Sequence, residues 1–284
     1  MTILPCRLLA ALALLAGLAA VPGSAMAGKS YDNCTDFIDS LPTTISTQGT
    51  WCLRKNLATN ITSGAAITIA TNNVTIDCND FKIGGLAAGN TSRTVGIQAD
   101  DRQNITVRHC NVRGFLYGIY LYGGAGHLVE NNRLDNSLFT GILVFGDNNP
   151  VRRNAVYDTG GQPGTRNSWG IHADAHVIEN TVSGVFADHA TPYVWGIRVG
   201  GSGNVARNNH VSRLQSGSSA YGIQTMGLGT MIEGNHVVAP AGSGGRGLYG
   251  NSVDETSCRN NVVAGFAIAI HNCLDAGRNI SLSL

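Results

Sequence analysis

The chain has 284 residues, and 19 Lys and Arg against 18 Asp and Glu leave a formal charge of +1 at neutral pH. So balanced a charge gives weak attraction to phosphate and argues against a nucleic-acid partner. With 37 glycines, few Lys and Glu, and many Asn, Thr and Val, the composition favours β-structure over helices.

In chain order, residues 1–27 come first as an expected signal peptide: Arg7 precedes the apolar run LLAALALLAGLAAV, and AMA ending at Ala27 has the small-x-small form of a cleavage site. The run is short for a bilayer span, and no later segment reads as a membrane helix, so a secreted or periplasmic protein without membrane attachment is expected. Residues 28–72 follow as an N-terminal cap and leading segment, and residues 73–284 as the main fold. After removal of the signal, Cys34, Cys52, Cys78, Cys110, Cys258 and Cys273 remain. An even count in an exported chain favours disulfides over metal thiolates. Sequence does not choose among the fifteen pairings; the local set, Cys34 with Cys52, Cys78 with Cys110 and Cys258 with Cys273, is preferred because each closes a short stretch.

From residue 96 onward the chain repeats. Gly followed by a branched apolar residue recurs at Gly96-Ile97, Gly118-Ile119, Gly141-Ile142, Gly170-Ile171, Gly196-Ile197, Gly222-Ile223 and Gly247-Leu248, with Ala269-Ile270 last, in steps of 22 to 29 residues. A second unit, Asn-x-apolar, starts at Asn132, Asn154, Asn180, Asn209, Asn235 and Asn261, with Cys110-Asn111-Val112 in the same frame. Short strands repeated at this period predict an all-β, right-handed parallel β-helix of about eight coils, each coil pairing with the next about 4.8 Å along the axis. The Asn column fits a bend, since Asn tolerates left-handed backbone angles and stacked amides bond along a column. Arg108, Glu130, Arg152, Ile178, Arg207, Glu233 and Arg259 form an outward column of mostly alternating charge, expected to be structural.

These repeats resemble those of the pectate-lyase-like superfamily, and IDSLPTTISTQGTWCLRKNL with ITIATNNVTIDCNDFKIGG is similar to the leading segment of many secreted bacterial members. The resemblance spans roughly residues 34–273. It implies the β-helix fold, a cap over residues 31–70, and a substrate groove along one lane of strands. It also brings in calcium as a candidate cofactor, although Asp158, Asp174 and Asp188 do not by themselves make a site. The N-T-D, G-H-G and R-I-K patterns of polygalacturonases and the D-P-H-D of alginate epimerases are missing, which puts hydrolase and epimerase activities in doubt.

Alternation from the inward Ile places Gln98, Tyr120, Leu143, His172, Arg198, Gln224, Tyr249 and His271 in one outward column. Asp100, Tyr122, Phe145 and Asp174 begin a second column, and the glycines are expected to leave a flat floor beside both. Longer loops in the middle coils would wall the lane and bring up Asp158, Arg166, Asp188, His189, Arg213 and Arg246. Tyr120, Tyr122, Phe145, Asp188, His189, Gln224, Arg246 and Tyr249 are therefore the candidate substrate-binding residues. The expected partner is a polysaccharide, with uronate sugars the leading class, bound by a monomer.

His172, Asp174 and His176 stand at alternate positions and would form a metal site on one straight strand. Ile171 to Val177 is only 6 residues, however, so a bend near Asp174-Ala175 puts His176 on the next face and the metal remains unidentified. The catalytic candidates are His172, Arg198 and Asp174: for a lyase, His172 as base and Arg198 as carboxylate clamp, with the reverse assignment open. The alternatives are a glycan-binding or surface-interaction protein without catalysis, and a glycoside hydrolase pairing Asp174 with a loop Asp. Asp100 stands about 14 Å from Asp174 at strand spacing, too far to serve as that partner.

Overall fold

The computed structural model describes residues 31–282 apart from 166, 188, 190 and 217, with backbone only at 241–243. The signal-peptide segment, Arg166 and Asp188 lie outside the described residues.

The fold is an all-β, right-handed parallel solenoid. One central coil shows the plan: Asn167–Ala173 runs along a wide sheet, the chain bends, His176–Ile178 crosses a narrow sheet, and after a tight turn Thr181–Val185 rejoins the wide sheet. A loop then leads to Tyr193–Val199, which pairs parallel with Asn167–Ala173. Among the described residues the narrow sheet has 11 strands and the wide sheet 18, two for most coils. The narrow sheet exceeds eight strands because residues at both ends join it: Gly49–Cys52 pairs with Val74–Asp77, and Leu274–Asp275 with Thr256–Arg259. Among the described residues no helix is long and apolar enough to cross a membrane.

Ile97, Ile119, Ile142, Ile171, Ile197, Ile223 and Leu248 are fully buried in one column, facing Val107, Val129, Val151 and Val177 across the core. Strict alternation fails beside them. In Tyr193–Val199 and Ser219–Thr225, the glycine and the following Ile are both buried, with half-buried positions on either side. The glycines point inward: a Cβ on Gly170 would strike Val182 and come within 2.6 Å of the Gly196 carbonyl oxygen, which belongs to the next coil. Only a residue without a side chain fits this bulge. The expected flat floor is therefore absent, because the glycines face the core and the residue before each one turns outward.

The Asn column forms a buried ladder. Asn132 Nδ2 donates to Asn154 Oδ1 at 3.0 Å, Asn154 to Asn180 at 3.0 Å, Asn180 to Asn209 at 3.1 Å and Asn209 to Asn235 at 3.0 Å. Asn261 and then Asn279 continue it. The left-handed residue is not the ladder Asn but the one before it: Asn131, Arg153, Glu179, Asn208 and Asn260 have φ of 54 to 58°. In the first coils Cys78 and Cys110 occupy the ladder position and are joined as a disulfide; Cys34–Cys52 and Cys258–Cys273 are also paired, so the local set holds. The charge column is satisfied internally, with Arg108 on Asp77 at 2.7 Å, Arg152 on Glu130 at 2.9 Å, and Arg207 and Arg259 on Glu233 at 3.0 and 2.8 Å.

Candidate functional site

The outer face of the long strands of the wide sheet carries the candidate residues in the register expected for them. Gln98, Tyr120, Leu143, His172, Arg198, Gln224, Tyr249 and His271 are successive cross-strand partners. A further column emerges because of the glycine bulge. Trp169, Trp195, Tyr221 and Arg246 are successive partners, and each immediately precedes its glycine. Trp169, Trp195 and Tyr221 are absent from the residues that sequence alternation places on the lane. The signal that could have found them is the large side chain at the position before Gly in consecutive coils.

These rings form a continuous wall. Trp169 stacks on Trp195 at 5.1 Å, Trp195 on Tyr221 at 5.2 Å and Tyr221 on Tyr249 at 5.8 Å, all within 24° of parallel. Their faces cover one another along the solenoid axis, so the lane is lined by ring edges and polar tips. Trp195 Nε1 donates to Gln224 Oε1 at 2.8 Å, tying the wall to the next coil. A second aromatic path, Tyr120 to Tyr122 to Phe145 to His172, approaches from the N-terminal side.

His172 is held edge-on to Phe145 at 4.8 Å and stacked on Trp169 at 5.5 Å. Burial among these rings, reinforced by the Arg198 charge, pushes its imidazole down to about 4, so it is neutral near pH 7. Its nitrogens make no hydrogen bond within the described residues. Arg198, its partner on the next coil, leans on the Met226 sulphur and lies 5.9 Å from the Trp195 ring, and among the described residues no carboxylate is within ion-pair distance of it. Arg246 is similar, its guanidinium 4.7 Å from the Tyr249 ring centre and its buried Nε without a partner. Asp174 closes the group: burial raises its carboxyl above the usual carboxylate range, Arg198 opposes that shift, and Asp147 adds to it.

The other candidates divide. His189 Nδ1 accepts from the Thr191 amide at 3.0 Å in an exposed loop. Asp158 is bound to Arg213 at 3.1 Å, so the carboxylate that acts on Asp174 is Asp147, which sequence reading did not name. The chain bends after Ala173 and restarts at His176, which separates His172 from His176. Among the described residues, no group of three or more His, Cys, Asp or Glu is arranged to hold a metal ion.

Residues 95–263 match the profile of the right handed beta helix region, more than half of the chain. No curated protein matches the sequence. Among solved structures, the Dettilon tailspike protein is similar at 16% identity and a TM-score of 0.42, over 83% of this chain and 60% of its own. The mannuronan C-5 epimerase A-module of Azotobacter vinelandii is similar at 15% identity and a TM-score of 0.33, over 83% and 81%. The DFA-IIIase of Arthrobacter chlorophenolicus without its lid gives 12% and 0.34, over 82% and 74%. This chain spans 60% of the tailspike's length, and at these identities the likeness is one of fold alone. With the coil register and the family match in agreement, the chain belongs to the right-handed β-helix family.

Proposed function

We propose that the protein binds an acidic polysaccharide along the wide-sheet lane and cleaves it by β-elimination at His172, Arg198 and Asp174. The observation that carries this reading is a contrast in charge usage. On the narrow sheet Arg108, Arg152, Arg207 and Arg259 are each paired with a carboxylate. On the lane, Arg198 and Arg246 make no ion pair with a carboxylate among the described residues, beside a rigid aromatic wall. Half-buried cations without counter-ions favour an anionic ligand, and a uronate carboxylate matches the planar guanidinium.

In this reaction Arg198 binds the uronate carboxylate and stabilises the charge that develops when the neighbouring carbon is deprotonated. Neutral His172 takes that proton. The electron pair left behind forms the carbon–carbon double bond as the bond to the glycosidic oxygen breaks, and Asp174, protonated more readily than an ordinary carboxyl, donates a proton to the departing oxygen. Three disulfides suit an oxidising, exported compartment, where such a polymer would be met. The protein acts as a monomer in this reading and takes no nucleic acid.

The test is ultraviolet absorbance of unsaturated uronate products from polygalacturonate, alginate and glucuronan. The expected result is product from at least one polymer, lost on His172→Ala and on Arg198→Ala. Binding without product from any of them would reduce the lane to a glycan-binding surface, and product undiminished in both variants would place the chemistry elsewhere.

A further inference from the structure

A cavity of about 440 Å³ opens beside the lane where the chain bends between the two sheets. It spans three successive coils, with Asp147 and Asn148 from the first, Asp174 and His176 from the second, and Ser202 and Asn204 from the third. Asp174 belongs to both the cavity and the lane, so the two spaces meet at that carboxylate.

The polar groups here are largely uncommitted. Asn204 Nδ2 donates to the Gly200 carbonyl at 2.7 Å. The side chains of Asp147, Asn148, Asp174, His176 and Ser202 make no hydrogen bond or ion pair with other described residues. The more buried carboxylates Asp77, Glu130, Asp135 and Glu233 are, by contrast, each paired with Arg. A concave site of this size, with convergent polar side chains free of internal partners, has the form of a small-ligand pocket.

Its chemistry differs from that of the lane. No Arg or Lys lines it, and two carboxylates do. Carboxyl groups and amides bond adjacent hydroxyls, and with no Arg or Lys in the lining no fixed positive charge draws an anion. We infer that this cavity is a subsite for a neutral, hydroxyl-rich sugar branch carried by the acidic main chain. The inference rests on the acidic-polysaccharide reading of the lane. It narrows the substrate from a linear polyuronate to one bearing single neutral sugars, whose backbone passes over His172 and Arg198 while the branch turns toward Asp147 and Ser202.

The experiment compares affinities for matched pairs of polymers by titration calorimetry: polygalacturonate against xylogalacturonan, and alginate and glucuronan against the same polymers grafted with single neutral sugars. Wild type should bind at least one branched polymer about fivefold or more tighter than its unbranched counterpart, a gain of the size that a few added hydrogen bonds supply. Ser202→Trp, which fills the cavity, should bring that ratio toward one. Asp147→Ala, at an exposed position, is the second variant should the first fail to fold. Equal affinity within every pair, a preference for the unbranched polymers, or a branched preference that survives both variants would overturn the subsite and leave the lane reading standing. Binding of none of these polymers would overturn both together.

Discussion

His172 shows how one half-buried side chain links packing to chemistry. Phe145 and Trp169 enclose it and Arg198 stands on the adjacent coil, so its protonated form is disfavoured twice, by lost hydration and by like charge. The folded state therefore resists a proton that the unfolded chain accepts below about pH 6.5. Above that pH the residue leaves stability unchanged. As pH falls from about 6.5 toward 4 it lowers stability progressively, to a total of about 3 kcal/mol. His172→Gln should reduce the slope of unfolding free energy against pH in that window by up to about 1.4 kcal/mol per pH unit, measured by urea denaturation at several pH values. An unchanged slope would mean that the imidazole is not enclosed as described.

At the level of the element, the Asn ladder and the glycine bulge fix how the coils stack. Asn180 accepts at Oδ1 from the Asn154 amide and side chain, at 2.9 and 3.0 Å, and donates to the Val151 carbonyl at 3.0 Å. Asn180→Ala would remove all three bonds; Asn154 Nδ2 keeps the Val129 carbonyl, whereas the Asn154 amide and the Val151 carbonyl lose a buried partner, and a loss of about 2 kcal/mol or more is expected in thermal or denaturant unfolding. A loss under about 0.5 kcal/mol would show that water or backbone shifts satisfy them. The ladder was legible in the sequence because Asn recurs in a fixed phase with the apolar residue two places on. The left-handed residue was misplaced by one, since Glu179, Arg153 and Asn208 share no residue type that marks the angle. The bulge was not legible because Gly170 and Ile171 both face the core, which breaks the alternation used to project the lane. His172 and Arg198 follow the bulge and were placed in register, whereas Trp169 and Trp195 precede it and were not.

At the scale of the molecule, the disulfides lie in the first and last coils, and no Cys occurs between Cys110 and Cys258. The central coils rely on the ladder and the core, as expected of a solenoid whose repeats are stabilised by their neighbours. In Cys258→Ser with Cys273→Ser, amide exchange should rise first in Val262–His271 and Ile280–Leu282, with Asn167–Ala173 keeping its protection. A uniform rise would point to one cooperative unit instead. The period of the whole solenoid was readable from Gly-Ile and Asn spacing, but its loops were not: Asp158 turned to Arg213, and Asp147 took the place beside Asp174. The central claim is that the wide-sheet lane, with its unpaired cations, is where an acidic polysaccharide binds. Its most direct test is titration calorimetry with the polyuronate that binds wild type most tightly, comparing Arg198→Gln on the lane with Arg207→Gln on the paired narrow sheet. The account predicts at least about a tenfold loss of affinity for the first and less than about twofold for the second; equal losses, or a loss confined to Arg207→Gln, would contradict it.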